Sequence, residues 1–166
     1  MSGTRPALST TGCAANLISA RLPAMARGAG RLHERMYRRF GGGPAGKWLG
    51  RPIFRLTVVG RTSGQPRSVV LMLVRDGDDL VVCGSNGGNP SAPNWWRNLV
   101  AAESGEVQLG RDTWPVAVRE ITDDAEYERL WAVLVAGYPD FATYRELTER
   151  RLPIAVLRRV SPSGGR

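Results

Sequence analysis

IFRLTVVGRTSGQPRSVVLMLVRDGDDLVVCGS, residues 53–85, decides the fold. Three apolar runs rich in Val, Ile and Leu, at 53–60, 67–76 and 79–85, read as strands. The turns between them, RTSGQP and DGD, are far too short for a parallel crossover, so these strands are antiparallel hairpins. Downstream, EVQLG (106–110) and TWPVAVREI (113–121) form another hairpin across a short Arg-Asp turn, and LPIAVLRRV (152–160) reads as a last strand. Between these lie helices. Pro93 suits a first helical position for PNWWRNLVAA. Asp123-x-x-Glu126 reads as a capping box for a helix through Ala136. A further helix is expected over 139–150, and RLHERMYRRF (31–40) reads as a short basic amphipathic helix with Leu32, Met36 and Phe40 on one stripe. The result is an α+β chain with six mainly antiparallel strands, and closure into a small barrel would cover their edges. Residues 31–160 are expected to form this single domain, after a disordered extension over 1–30 and before a tail over 161–166.

A chain of 166 residues encloses one core comfortably. No apolar run approaches the ~18 residues that a membrane-spanning helix requires. Cys13 and Cys83 have no metal-ligand spacing, and His33 is the single histidine, so a reduced, cytoplasmic protein without a metal is expected. Charge is unevenly placed. Residues 1–67 hold 12 Arg or Lys and one acid, a net +11, while the other 99 hold 11 basic and 14 acidic groups, a net −3. All the basic residues but Lys47 are arginine, whose planar fork suits phosphate and carboxylate. A solvated basic helix would give the same count.

Three segments could carry chemistry. In GRTSGQPR (60–67), Arg61 and Arg67 bracket a turn that offers Thr62, Ser63 and Gln65 as further donors, a good anion seat. A polar hairpin end built for solubility looks the same. In CGSNGGNPSAPNWWRNL (83–99), Ser85, Asn86, Gly87 and Gly88 let the backbone approach a ligand, and the helix beginning near Pro93 favours an anion. Trp95 and Trp96 lie about 100° apart on that helix, so one can pack on the barrel while the other meets a ring; Asn98 shares a face with Trp95. In YPDFATYRELTER (138–150), Tyr138, Phe141 and Tyr144 form an aromatic stripe at helical spacing. It offers either substrate-side hydroxyls or a packed amphipathic face. No Ser-His-Asp set, paired catalytic carboxylates or GxGxxG motif is present.

Taken together, LTVVGRTSGQPRSVVLMLVRDGDDLVVCGSNGGNPSAPNWWRNL resembles the deazaflavin-dependent nitroreductase family, over about residues 31–160. The resemblance implies a split β-barrel like that of FMN-binding oxidoreductases, and coenzyme F420 as cofactor. It places Arg61, Thr62, Ser63, Gln65 and Arg67 on the cofactor's phosphate and acidic tail. Ser85, Asn86, Gly87 and Gly88 would line it, with Pro93, Trp95, Trp96 and Asn98 packing and orienting it. Thr62 and Asn86 stand where the family commonly has lysine. Phe141 replaces one of three tyrosines on the substrate side, so proton delivery would fall to Tyr144, Tyr138, Ser85 or water.

The implied activity is hydride transfer from reduced F420 to a quinone, enone or nitroaromatic, an electrophilic small molecule. The alternatives are an FMN-dependent reductase of the same barrel or a non-catalytic carrier of F420 or lipid. No nucleic-acid partner is expected, because helix-in-groove and aromatic-sheet signatures are missing. The basic segment over 31–40 would suit peripheral contact with the inner face of a membrane. A dimer would fit related barrels.

Overall fold

The computed structural model describes residues 47–48 and 50–160. The expected extension over 1–30 with Cys13, the basic helix over 31–40 with His33, and the 161–166 tail lie outside the described residues. Among the described residues there are eight strands: β1 (Lys47–Trp48), β2 (Arg51–Val59), β3 (Pro66–Met72), β4 (Arg75–Asp76), β5 (Asp79–Cys83), β6 (Ser104–Leu109), β7 (Asp112–Glu120) and β8 (Ile154–Arg159). Three α-helices accompany them among the described residues: α1 (Asn94–Ala102), α2 (Asp124–Gly137) and α3 (Asp140–Glu146). One 3-10 turn, Asn86–Gly88, follows β5. Every strand pair is antiparallel, in the order β1-β2-β6-β7-β8-β5-β4, with β3 also on β2.

The strand count exceeds the six expected by two: β1 precedes the first expected strand, and the 67–76 stretch is divided between β3 and β4. Leu73 N donates to Pro52 O at 3.0 Å, continuing the β2 pairing, while Val74 O accepts from Val81 N at 3.0 Å, beginning the β5 pairing. One continuous stretch of chain therefore changes partner within two residues and becomes β3 and β4. That exchange links the two ends of the sheet and curls it.

Alternation sorts the core into two clusters. Leu80 and Val82 of β5, with Ala155 and Leu157 of β8, join Phe54, Leu56, Val58, Trp96, Leu99, Val107 and Val116 inside the curl. Val81, Cys83, Ile154 and Val156 face the other way, against Tyr127, Leu130, Trp131 and Leu134 of α2 and Phe141 and Tyr144 of α3. Both β5 and β8 are thus buried on two faces, which accounts for the unbroken apolar runs LVVC and IAVL.

Three local expectations need correction. Pro93 is extended (φ −68°, ψ 155°) and stands at the N-cap of α1, one residue before the helix, where it supplies no side-chain cap bond. Asp123 does accept from Glu126 N at 2.8 Å, but Glu126 does not reciprocate. Its carboxylate takes both Arg119 guanidinium nitrogens instead, at 2.7 and 2.8 Å. The expected 139–150 helix stops at Glu146, and residues 147–153 turn back irregularly toward β8. Among the described residues no helix is long and apolar enough to cross a membrane.

Leu99 and Leu134 are fully buried, one in each cluster. Replacing either by Ala should lower the free energy of urea unfolding by about 2–5 kcal/mol. A loss below ~1 kcal/mol at either site would contradict the packing described.

Candidate functional site

The hairpin turn between β2 and β3 is tightly self-bonded. Gly64 N donates to Gly60 O at 2.8 Å and Gly60 N to Gln65 O at 2.9 Å. Ser63 Oγ accepts from Gln65 N (3.3 Å) and from the Arg67 guanidinium (3.4 Å). Arg61, Thr62, Ser63, Gln65 and Arg67 are all exposed at this tip. The turn is tethered to α1: Asn98 Oδ1 accepts from both Arg61 N (3.3 Å) and Arg61 Nη1 (2.9 Å). Asn98 is only 8% exposed, so a buried amide fixes the base of an exposed guanidinium. The remaining N–H groups of that fork stay available for an anion.

The second expected segment leaves β5 through residues of opposite handedness. Ser85 is right-handed (φ −66°, ψ −38°), and Asn86, Gly87 and Gly88 follow at φ 51°, 63° and 79°. A right-to-left step of this kind turns successive backbone N–H groups toward one concavity, a setting that favours anions. Asn86 tolerates the left-handed region, and its side chain donates to Ser91 O at 3.0 Å. The two glycines serve different ends. A Cβ at Gly88 would lie 2.8 Å from Leu147 Cβ and 3.0 Å from Tyr144 O, so Gly88 is used in packing against α3 and its exit. Gly87 has open space around it and is the approachable backbone.

The adjacent tryptophans divide as their angular spacing requires. Trp96 is 5% exposed and fills the inner cluster; a Cβ on Gly84 would lie 2.9 Å from its ring. Trp95 is half-buried and meets Trp96 edge-on, with ring centroids 5.8 Å apart. Pro93, also half-buried, precedes it at the helix entrance.

Tyr138, Phe141 and Tyr144 sit elsewhere in character. All three are buried in the outer cluster, where their rings meet at 5.4–6.3 Å. The two hydroxyls face each other at 3.4 Å. Burial pushes both phenols up from the ordinary tyrosine range, and Tyr138 further because the Tyr144 and Asp140 side chains also oppose its ionisation. The Arg51 guanidinium lies over the Tyr138 ring at 5.6 Å and donates to Gly137 O at 2.8 Å. The stripe is therefore a packed aromatic cluster in this structure, with Tyr138 in the extended link before α3.

Sequence reasoning missed Arg150, which contacts the 84–89 loop through three carbonyls. Nothing in the run ERR (149–151) marks that role. It also did not place the clefts: one of about 440 Å³ is lined by Tyr127, Arg145, Arg150 and neighbours, and another by Trp114, Arg158 and Arg159. Neither is lined by an expected site residue.

Residues 29–159 match the family described as F420H2-dependent quinone reductase. An F420H2-dependent quinone reductase of Mycobacterium tuberculosis is 32% identical over 132 residues, covering 78% of this chain and 89% of the relative. The solved structure of an F420-H2 dependent reductase (FDR-A) is similar at TM-score 0.60 and 34% identity, over 65% of this chain and 95% of that one. A solved domain-swapped dimer gives TM-score 0.62 at 32% identity, over 76% of this chain and 96% of that one.

Because the phenols of Tyr138 and Tyr144 hold their protons more tightly folded than unfolded, their contribution to stability is present below pH ~10 and is lost as pH rises beyond it. Urea unfolding of the wild type should weaken above that pH, by at most about 1.4 kcal/mol per pH unit for each group. Tyr138→Phe should show a shallower decline. Parallel curves for the two proteins between neutral and alkaline pH would refute the assignment.

Proposed function

The chain belongs to the family of F420H2-dependent quinone reductases, and from that premise we propose which of its residues hold the cofactor and which acceptor it serves. Its cofactor is coenzyme F420, a deazaflavin with a phosphate and an acidic tail, which when bound supplies the hydride. The donor set fits such a group. Arg61 and Arg67 present guanidinium forks at one exposed tip, with the Thr62 and Ser63 hydroxyls and the Gln65 amide beside them, where tail anions would be held. Asn98 acts through Arg61, whose base it fixes, rather than by direct contact. Ser85 and Asn86 begin the left-handed turn, and Gly87 leaves its backbone open to a flat ring. Pro93 and Trp95 would flank that ring while Trp96 and Gly88 support them from within. Lysine is absent at both 62 and 86, which leaves the charge on the tail to the two arginines.

Proton delivery falls on this reading to Ser85 or water in preference to Tyr144 or Tyr138, whose hydroxyls face each other inside the outer cluster. The acceptor proposed is a quinone, in preference to an enone or nitroaromatic, because the matched relatives are named as quinone reductases. The domain-swapped relative supports a dimer, and the basic 31–40 segment supports contact with an anionic membrane surface, where quinones reside.

The observation that carries the proposal is the two-arginine turn docked on the tryptophan helix through Asn98, in a chain matching the family over residues 29–159. Anaerobic oxidation of F420H2 should proceed with a soluble quinone faster than with an enone or nitroaromatic. Arg61→Gln and Arg67→Gln should each raise KM for F420H2 by roughly tenfold while kcat changes little. Tight FMN binding with no binding of F420 would overturn the reading.

A further inference from the structure

Residues 144–153 hold the 84–89 loop near both of its ends, at Gly84, Ser85, Gly88 and Asn89, and the centre of that hold is Arg150. Its Nε donates to Asn89 O at 2.9 Å, and its Nη2 to Ser85 O at 2.7 Å and Gly84 O at 3.0 Å. On either side, Gly84 N donates to Pro153 O at 2.9 Å, and Gly88 packs against Leu147. Arg150 N itself bonds Thr148 Oγ1 at 3.4 Å, which fixes the approach of the side chain. Among the described residues no carboxylate pairs with this guanidinium, in contrast to Arg145 and Arg151 nearby, which pair with Glu128 and Asp124. Half-buried, Arg150 loses some of its basicity to desolvation. A cation kept there without a counter-ion has its donors committed to loop carbonyls. Ser85 O also accepts from Gly88 N at 3.1 Å, so the fork and the turn meet at one carbonyl.

We propose that Arg150 is a positioning residue for the cofactor site: its fork holds the carbonyls of Gly84, Ser85 and Asn89 and so fixes the backbone of the Ser85–Gly88 wall. This rests on the functional reading above for what the wall receives, but the fork itself can be tested independently. Lysine cannot replace it, because one ammonium lacks the spread of Nε and Nη2 across carbonyls five residues apart.

The test uses the full chain with Cys13→Ser, which leaves buried Cys83, next to the loop, as the sole thiol. In that background Arg150→Gln should speed iodoacetamide labelling of Cys83 and raise KM for F420H2, each by roughly tenfold or more, with a smaller change in kcat. Arg150→Lys should fall between, and guanidinium at low millimolar concentration should restore Arg150→Gln toward the wild type. If Arg150→Gln does not fold, Arg150→Lys carries the same two readouts. Labelling and KM both within twofold of the wild type would overturn the proposal. Faster labelling with unchanged KM would overturn the positioning role, since the loop would then move without affecting the cofactor. If the wild type fails to bind F420 at all, the functional reading falls and the cofactor role with it, while Cys83 labelling still decides whether the fork holds the loop.

Discussion

The structure depends on the change of hydrogen-bonding partner at Leu73 and Val74. A sheet edge cannot be left unpaired in a small protein without a cost in solubility or stability. Here one strand stretch satisfies β2 at one end and β5 at the other. The curl that results puts β5 and β8 between two apolar clusters, so each of their side chains is assigned to one side or the other with no freedom of register. From this the position of the site follows. The β2–β3 turn is brought to α1, where Asn98 receives Arg61, and β5 delivers the glycine loop to the exit of α3.

Much of this was legible in the sequence, for identifiable reasons. Runs of β-branched residues between short turns announced the antiparallel strands, and β2, β5, β6, β7 and β8 lie within two residues of where they are expected at every end. What sequence could not show was the partner exchange inside 67–76, because an apolar strand looks the same whichever neighbour it bonds. The division of labour between Trp95 and Trp96 was readable from helical geometry. The burial of Tyr138 and Tyr144 was not, since a three-residue aromatic stripe is equally compatible with a packed face and an open one. Arg150 was invisible for a different reason: its partners are backbone carbonyls more than sixty residues away, and backbone acceptors leave no trace in composition.

The arginines as a group divide by what they bind. Arg119, Arg129, Arg145, Arg151 and Arg158 pair with carboxylates at solvent-exposed positions, where each such pair contributes little to stability. Arg51, Arg55, Arg61 and Arg150 donate instead to carbonyl, amide or hydroxyl oxygens, and these bonds tie neighbouring segments together. Among the described residues, most arginines are therefore committed to partners within the protein. Within the site, a few are free at their tips and the rest are structural.

The strand β8 is the last element of the described chain, yet it lies between β7 and β5 in the sheet. During synthesis, β5 and β7 must both wait with open edges until residues 154–159 have left the ribosome. The two parts of the sheet can only then be zipped together by the final strand. Such long-range pairing is slow and leaves unpaired edges exposed in the interval. The segment bearing Arg150 emerges just before that strand, so the loop at 84–89 is fixed in the same late step. Completion of the sheet and fixing of the loop are one event, set by the arrival of β8.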